Sequence, residues 1–121
     1  MVSSLIEKEI KHEGELDRVF HALSDRTRRD LIRRLASGPA IISELAEPYD
    51  MTLAAVSKHL RVLESAKLIG REIDGRFHRC TLTAKPMLDA ERWLQEYTAF
   101  WEDTLDSLAV YVESNDRERE K

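Results

Sequence analysis

The dipeptide Asp74-Gly75 sits between two short segments, IGREI and RFHRCTL. Asp-Gly in that setting signals a β-hairpin closed by a two-residue type I′ turn. No other part of the chain is patterned as a strand. The remaining apolar residues recur at helical spacing, so the hairpin has to be an appendage of a helical domain. That restricts the fold class to mainly α with one small β-hairpin.

The helices can be placed from their stripes and stop signals. In LDRVFHAL, Leu16, Val19, Phe20 and Leu23 lie at helical spacing, and Gly14 separates them from a loosely held start. A second helix opens with Ser24 as N-cap and Asp25 in its first turn, carries the stripe Leu31, Ile32 and Leu35, and stops at Gly38-Pro39. IISELAEPY reads as a short helix ended near Pro48, with a tight turn at Asp50 and Met51. Thr52 caps the next helix, which runs to about Ala66. After the hairpin, Pro86 suits a first helical turn, and one long helix follows to about Glu113. The tail SNDREREK has no apolar residue and is expected to be disordered. A short helix, a tight turn and a second helix form a helix-turn-helix over about residues 41–66, and the hairpin at about 69–82 makes it winged. Residues 1–113 are read as one domain and 114–121 as its tail.

The helix after Thr52 carries the functional reading. Stepping 100° per residue from Val56 puts Leu53, Leu60 and Leu63 on the inner side. Ala54, Lys58, Arg61 and Ser65 fall opposite, Ala55 and Val62 lie beside them, and Ser57 and His59 flank the boundary. The outer face is therefore small near the helix start and basic further along. Small side chains admit a close approach in the DNA major groove, and alanine can touch a thymine methyl. Lys58 can reach a guanine edge or a phosphate, Ser57 a base edge or phosphate, and His59 and Arg61 are better placed for phosphates. The competing reading is a plain surface helix with alanines chosen for propensity. The short helix before it and the wing after it favour the groove-reading alternative.

Charge is consistent with such a partner only when read locally. The whole chain carries a net −4. Residues 24–80 hold 11 Lys/Arg against 8 Asp/Glu, whereas residues 81–121 hold 5 against 10. A cationic middle lies between acidic ends, and the local field is what a phosphate meets. No apolar run approaches the ~20 residues of a membrane span. The opening MVSSLIEKEIKHEGE is too acidic for a signal peptide, and the single Cys80 allows no intrachain disulfide, so a cytoplasmic protein is expected.

The pieces ALSDRTRRDLIRRL, ISELA, VSKHLRVLESAKLI and the DGR of the hairpin together resemble the ArsR/SmtB family of winged-helix repressors. The likeness covers roughly residues 16–83, with a looser match in the last helix. Arg26 departs from it, since the family usually has proline after Ser-Asp. The resemblance implies a homodimer on a palindromic operator, residues 52–64 as recognition helix, and Arg76 at the wing tip against the DNA backbone or minor groove. It does not carry over the family's metal chemistry. The thiolate pair would fall at Ile41 and Ser43, and residues 81–121 contain neither His nor Cys. Borderline-soft metals need imidazole or thiolate. The ending AERWLQEYTAFWEDTLDSLAVYVE looks like the metal-independent branch.

The DNA-contacting set expected is thus Thr52, Ala54, Ala55, Ser57, Lys58, His59, Arg61 and Arg76. In the long helix, Leu94, Trp101 and Leu108 repeat every seven residues, Ala90, Tyr97 and Tyr111 form a second seam, and Trp93, Phe100, Leu105 and Val112 widen the face. That is more apolar surface than a small core covers, and such patches are usually interfaces. The expected dimer surface is Leu16, Val19 and Phe20 with Trp93, Leu94, Tyr97, Trp101, Leu105 and Leu108. Part of this stripe must be intrachain core, and a ligand pocket walled by aromatics is a further alternative.

Other groupings carry less. His78 and Cys80 share a strand face, but two ligands do not make a metal site. Cys80 could sense oxidants if a neighbouring arginine lowered its pKa. Of the five arginines in RTRRDLIRR, one or two are expected near DNA and the rest paired with Asp25 and Asp30. There is no GxSxG, phosphate loop or HExxH, and no convergent acid/base set, so neither an enzyme nor a cofactor is expected. The reading is a DNA-binding repressor, with a ligand- or thiol-responsive sensor of the same fold, or a winged helix used for protein contact, as alternatives.

Overall fold

The computed structural model describes residues 2–119. It contains α1 (Val2–Leu23), α2 (Arg26–Leu35), β1 (Ala40–Ile41), α3 (Ile42–Ala46), α4 (Leu53–Ser65), β2 (Ile69–Asp74), β3 (Phe77–Leu82) and α5 (Lys85–Arg119). The chain divides into two units, Met1–Ala90 and Glu91–Lys121. Among the described residues no helix is long and apolar enough to cross a membrane.

The first unit is a winged helix-turn-helix. Leu31, Leu45, Val56, Leu60, Leu63 and Leu68 are fully buried, one apolar stripe from each helix meeting at the start of the wing. The α2 stripe and the inner face of α4 at Val56, Leu60 and Leu63 are as expected. The sheet has three antiparallel strands in the order β1-β3-β2. The strand β1, which opens the expected short helix, pairs Ala40 with Cys80 and Ile41 with Arg79. A two-residue strand carries too little pattern to be seen in sequence.

Several boundaries differ from expectation. Helix α1 runs through Gly14 from Val2, because an interior glycine costs a helix only about 1 kcal/mol. The N-cap of α2 is Asp25, whose carboxylate accepts the Arg28 N–H at 3.1 Å, while the Ser24 hydroxyl donates back to the His21 carbonyl at 2.6 Å. The wing turn is displaced by one residue. Asp74 pairs with Phe77, so the turn is Gly75-Arg76, with φ +62° at Gly75 and no positive φ at Arg76. Positive φ at the first central residue alone is type II′, for which glycine there is the natural occupant. Helix α5 extends through residues 114–119, expected to be disordered. Arg117, Glu118 and Arg119 are good helix formers. Residues 120 and 121 lie outside the described residues.

The second unit is the remainder of α5. Its aromatic side chains stack along the helix: Trp93 and Tyr97 ring centroids lie 5.0 Å apart, and Phe100 meets Trp101 edge-on at 6.0 Å.

Candidate nucleic-acid interface

Thr52 fixes the start of α4. Its hydroxyl oxygen accepts the Ala55 N–H at 3.1 Å, satisfying one of the amides a helix start leaves open. With the helix phased by Val56, Leu60 and Leu63, Ala54, Lys58 and Arg61 are exposed on the far side, and Ala55 and Ser57 are half-buried beside them. Leu53, expected inside, is 57 % exposed. It occupies the first helical position, beyond the reach of the core. There it borders a groove of about 230 Å³ running between α3, α4 and the wing, which also has Ser57 and Arg76 on its walls. The structure therefore brings Ser57 and the wing-tip Arg76 to one groove. Phe77, at the base of the wing turn and also lining the groove, was not singled out from sequence.

His59 departs from the outer face. Its Nδ1 lies 3.3 Å from Arg28 Nη1 and 3.8 Å from Asp25 Oδ2, so the ring turns inward toward the N-terminus of α2. Its boundary position on α4 allows either direction, and a buried cation with a carboxylate beside it supplies the inward one.

The arginines of α2 act mostly within the chain. Arg28 is buried; its Nε donates to the Ala22 carbonyl at 2.8 Å and its Nη2 to that of His21 at 3.0 Å. Arg29 donates to the Leu23 carbonyl at 2.7 Å. These are carbonyls at the end of α1, which lack partners inside the helix and carry its negative pole. Arg34 does the same for α3, donating to Leu45 at 2.7 Å and Glu44 at 3.0 Å while its guanidinium lies 5.4 Å from the Tyr49 ring centroid. Asp30 accepts from the Tyr49 hydroxyl and pairs with Arg33. Arg26, Arg29 and Arg33 line an open groove on the outer side of α2. The short helix α3, too small to hold its own orientation, is thus pinned to α2 by an arginine and a tyrosine. Sequence reasoning missed these roles. The one available signal was phase: Arg28 lies on the stripe of Leu31, Ile32 and Leu35.

Leu16 and Val19, expected on a dimer surface, are buried in the core of the first unit, and Phe20 is half-buried against it. The 16–23 segment faces inward because α2 and α4 already cover that stripe. On α5, Trp93, Leu94, Tyr97, Trp101, Leu105 and Leu108 are all exposed large apolar side chains, whereas Ala90 is buried.

Cys80 is fully buried, and burial pushes its thiol pKa up despite the nearby Arg71 guanidinium. A raised pKa lowers the thiolate fraction on which oxidation depends. Arg71 Nη2 lies 3.3 Å from Glu64 Oε2, joining the wing to the end of α4. Among the described residues, no three His, Cys, Asp or Glu side chains are grouped to hold a metal ion.

A helix-turn-helix domain family matches residues 23–71. The chain is 47 % identical over 53 residues to the HTH-type transcriptional regulator Rv2034 of Mycobacterium tuberculosis, a match covering 44 % of this chain and 50 % of that one. It thus spans half the length of that relative. It is 28 % identical over 82 residues to the transcriptional repressor SdpR of Bacillus subtilis, covering 68 % and 91 % of the two chains. Among solved structures, an ArsR family transcriptional regulator superposes with a TM-score of 0.71 at 40 % identity, over 74 % of this chain and 93 % of that one. Capped helix, wing and sequence agree: this chain belongs to the ArsR family of winged helix-turn-helix transcriptional regulators.

Proposed function

We propose that the protein is a repressor that binds a palindromic double-stranded operator as a homodimer, without a metal. The observation that carries this reading is the outer face of α4. Its N-terminal turn is capped by Thr52 and bare of bulk at Ala54 and Ala55, and Lys58 and Arg61 follow on the same exposed side. A helix entering the major groove needs close approach at its start and cations beside the phosphates. Arg76, at the wing turn, extends the cationic contact beyond the helix. A protein-docking winged helix would carry apolar or acidic residues at these positions.

The exposed apolar side chains of α5 support dimerisation, because a contiguous apolar face on a helix is rarely left to solvent. A two-fold dimer places two recognition helices about 34 Å apart, one DNA turn, which converts a weak reader into a specific one. Metal independence is supported by residue chemistry: Ile41 and Ser43 stand at the positions of the thiolate pair, and α5 has no imidazole or thiol.

The test is fluorescence anisotropy with DNA from upstream of the protein's own gene against a scrambled duplex, over a salt series. Selective binding that weakens with salt is expected. Equal, weak binding to both duplexes would overturn the reading.

A further inference from the structure

A cavity of about 170 Å³ opens in the first unit between α1, the residues that follow α4 and the first turn of α5. Its floor is apolar, from Leu16, Val19, Ala66 and Pro86. A cavity of about 150 Å³ is enough for a benzene ring, so the floor admits one ring-sized group. The rim is charged, and its charges separate into two kinds. Lys85 and Asp89 are 3.9 Å apart and answer each other. Glu15 and Lys67 line the same cavity, and neither has an ion pair or a side-chain hydrogen bond among the described residues.

The backbone at Lys67 is the second observation. Its φ is +60°, and among the described residues it is the one non-glycine residue with positive φ. Helices commonly end on such a residue, and glycine fills that place without steric cost. Lysine takes that cost here, where the Lys67 N–H donates to the Glu64 carbonyl at 2.9 Å and the Leu68 N–H to the Leu63 carbonyl at 3.0 Å to close the helix end, and its ammonium makes no contact of its own. Non-glycine residues held in the left-handed region concentrate at ligand-binding sites.

We propose that this cavity is a binding site for a small zwitterion carrying one ring-sized apolar group. The ring occupies the floor, the ligand's carboxylate meets the Lys67 ammonium, and its ammonium meets the Glu15 carboxylate. An aromatic α-amino acid has this chemistry. Because Lys67 lies two residues beyond the helix assigned to DNA reading, the site would give that proposed function an effector. The site itself stands or falls independently of DNA binding, since occupancy is measured on the free protein.

The experiment is isothermal titration calorimetry of the full chain, without DNA, using L-phenylalanine, benzoate and phenethylamine as probes. L-Phenylalanine is expected to saturate one site per chain, and each singly charged analogue to bind at least tenfold more weakly. Lys67→Gly should cost tenfold or more in affinity while raising Tm, because it removes the ammonium and relieves the backbone. Glu15→Gln should weaken the amino acid in the same way. Amide shifts in NMR should centre on residues 15–19, 66–67 and 83–89. No heat at millimolar L-phenylalanine, equal binding of all three probes, unchanged affinity in Lys67→Gly, or shifts centred elsewhere would each overturn the proposal.

Discussion

Arg28 Nη1 lies 3.3 Å from His59 Nδ1, and the same guanidinium holds the last carbonyls of α1. One buried side chain therefore joins the end of α1, the start of α2 and the middle of α4. The helix that presents Lys58 outward is located from inside by an arginine. Arg28→Ala would leave the Ala22 carbonyl and the His59 ring without this donor and weaken the hold on the His21 carbonyl, which keeps the Ser24 hydroxyl. A loss of about 2–3 kcal/mol is expected, since hydrogen bonds from charged donors contribute about 1.5–3 kcal/mol. Arg33→Ala, at an exposed pair, should change stability by less than about 1 kcal/mol. Urea denaturation of the two variants measures the contrast, and equal losses would remove Arg28 from this role.

Acid should loosen the same junction. The Asp25 carboxyl is held below its ordinary value of 3.8 chiefly by the Arg28 N–H that it accepts, against the opposing effect of desolvation. The Tyr49 hydroxyl is the largest influence holding Asp30 down as well. A folded-state pKa below the unfolded one means that the unfolded chain takes up protons first as pH falls. The stabilisation is complete above the ordinary carboxylate range and is lost as pH drops through the depressed values. Tm should stay level from pH 7 to about 5 and fall below about 4. Asp25→Asn keeps a good N-cap and should show a shallower acid decline. An unchanged acid slope would place the sensitivity elsewhere.

Much of this junction was hidden in the sequence, for a physical reason. Periodicity reports which face of a helix is apolar, so Val56, Leu60 and Leu63 of α4, the cap at Thr52 and the existence of the wing were legible, while Leu53 at the helix start, expected inside, is exposed. It does not report which way a boundary residue such as His59 turns, because that depends on a partner 31 positions away. Turn register failed similarly. Asp-Gly marked the hairpin correctly, but strand pairing moved the turn to Gly75-Arg76. Leu16 and Val19 look the same in sequence whether a stripe meets its own core or a second copy.

Lys58 is the exposed cation nearest the small face of α4, at the position best suited to a base edge or phosphate. Lys58→Ala should weaken operator binding by about 1–2 kcal/mol, roughly tenfold, with Tm unchanged because alanine favours the helix. Anisotropy over a salt series separates its two possible contacts. Uniform loss on all duplexes, with a salt slope smaller by about 1, indicates a phosphate; loss confined to the operator indicates a base. Unaltered affinity would remove Lys58 from the interface.

Trp101 stands at the centre of the Leu94, Trp101, Leu108 repeat and is 53 % exposed in the single chain. Because the fold of one chain leaves it in solvent, Trp101→Glu should cost the monomer little stability. In a dimer seam the same change buries a carboxylate against apolar side chains, at a cost of several kcal/mol that the interface cannot recover. Light scattering should therefore give the mass of one 14.0 kDa chain for the variant and twice that for the native protein. Operator affinity should fall with it, since a single recognition helix reads half a site. A variant that remains dimeric at micromolar concentration would move the interface off this face of α5 and leave its exposed aromatics without the role argued for them.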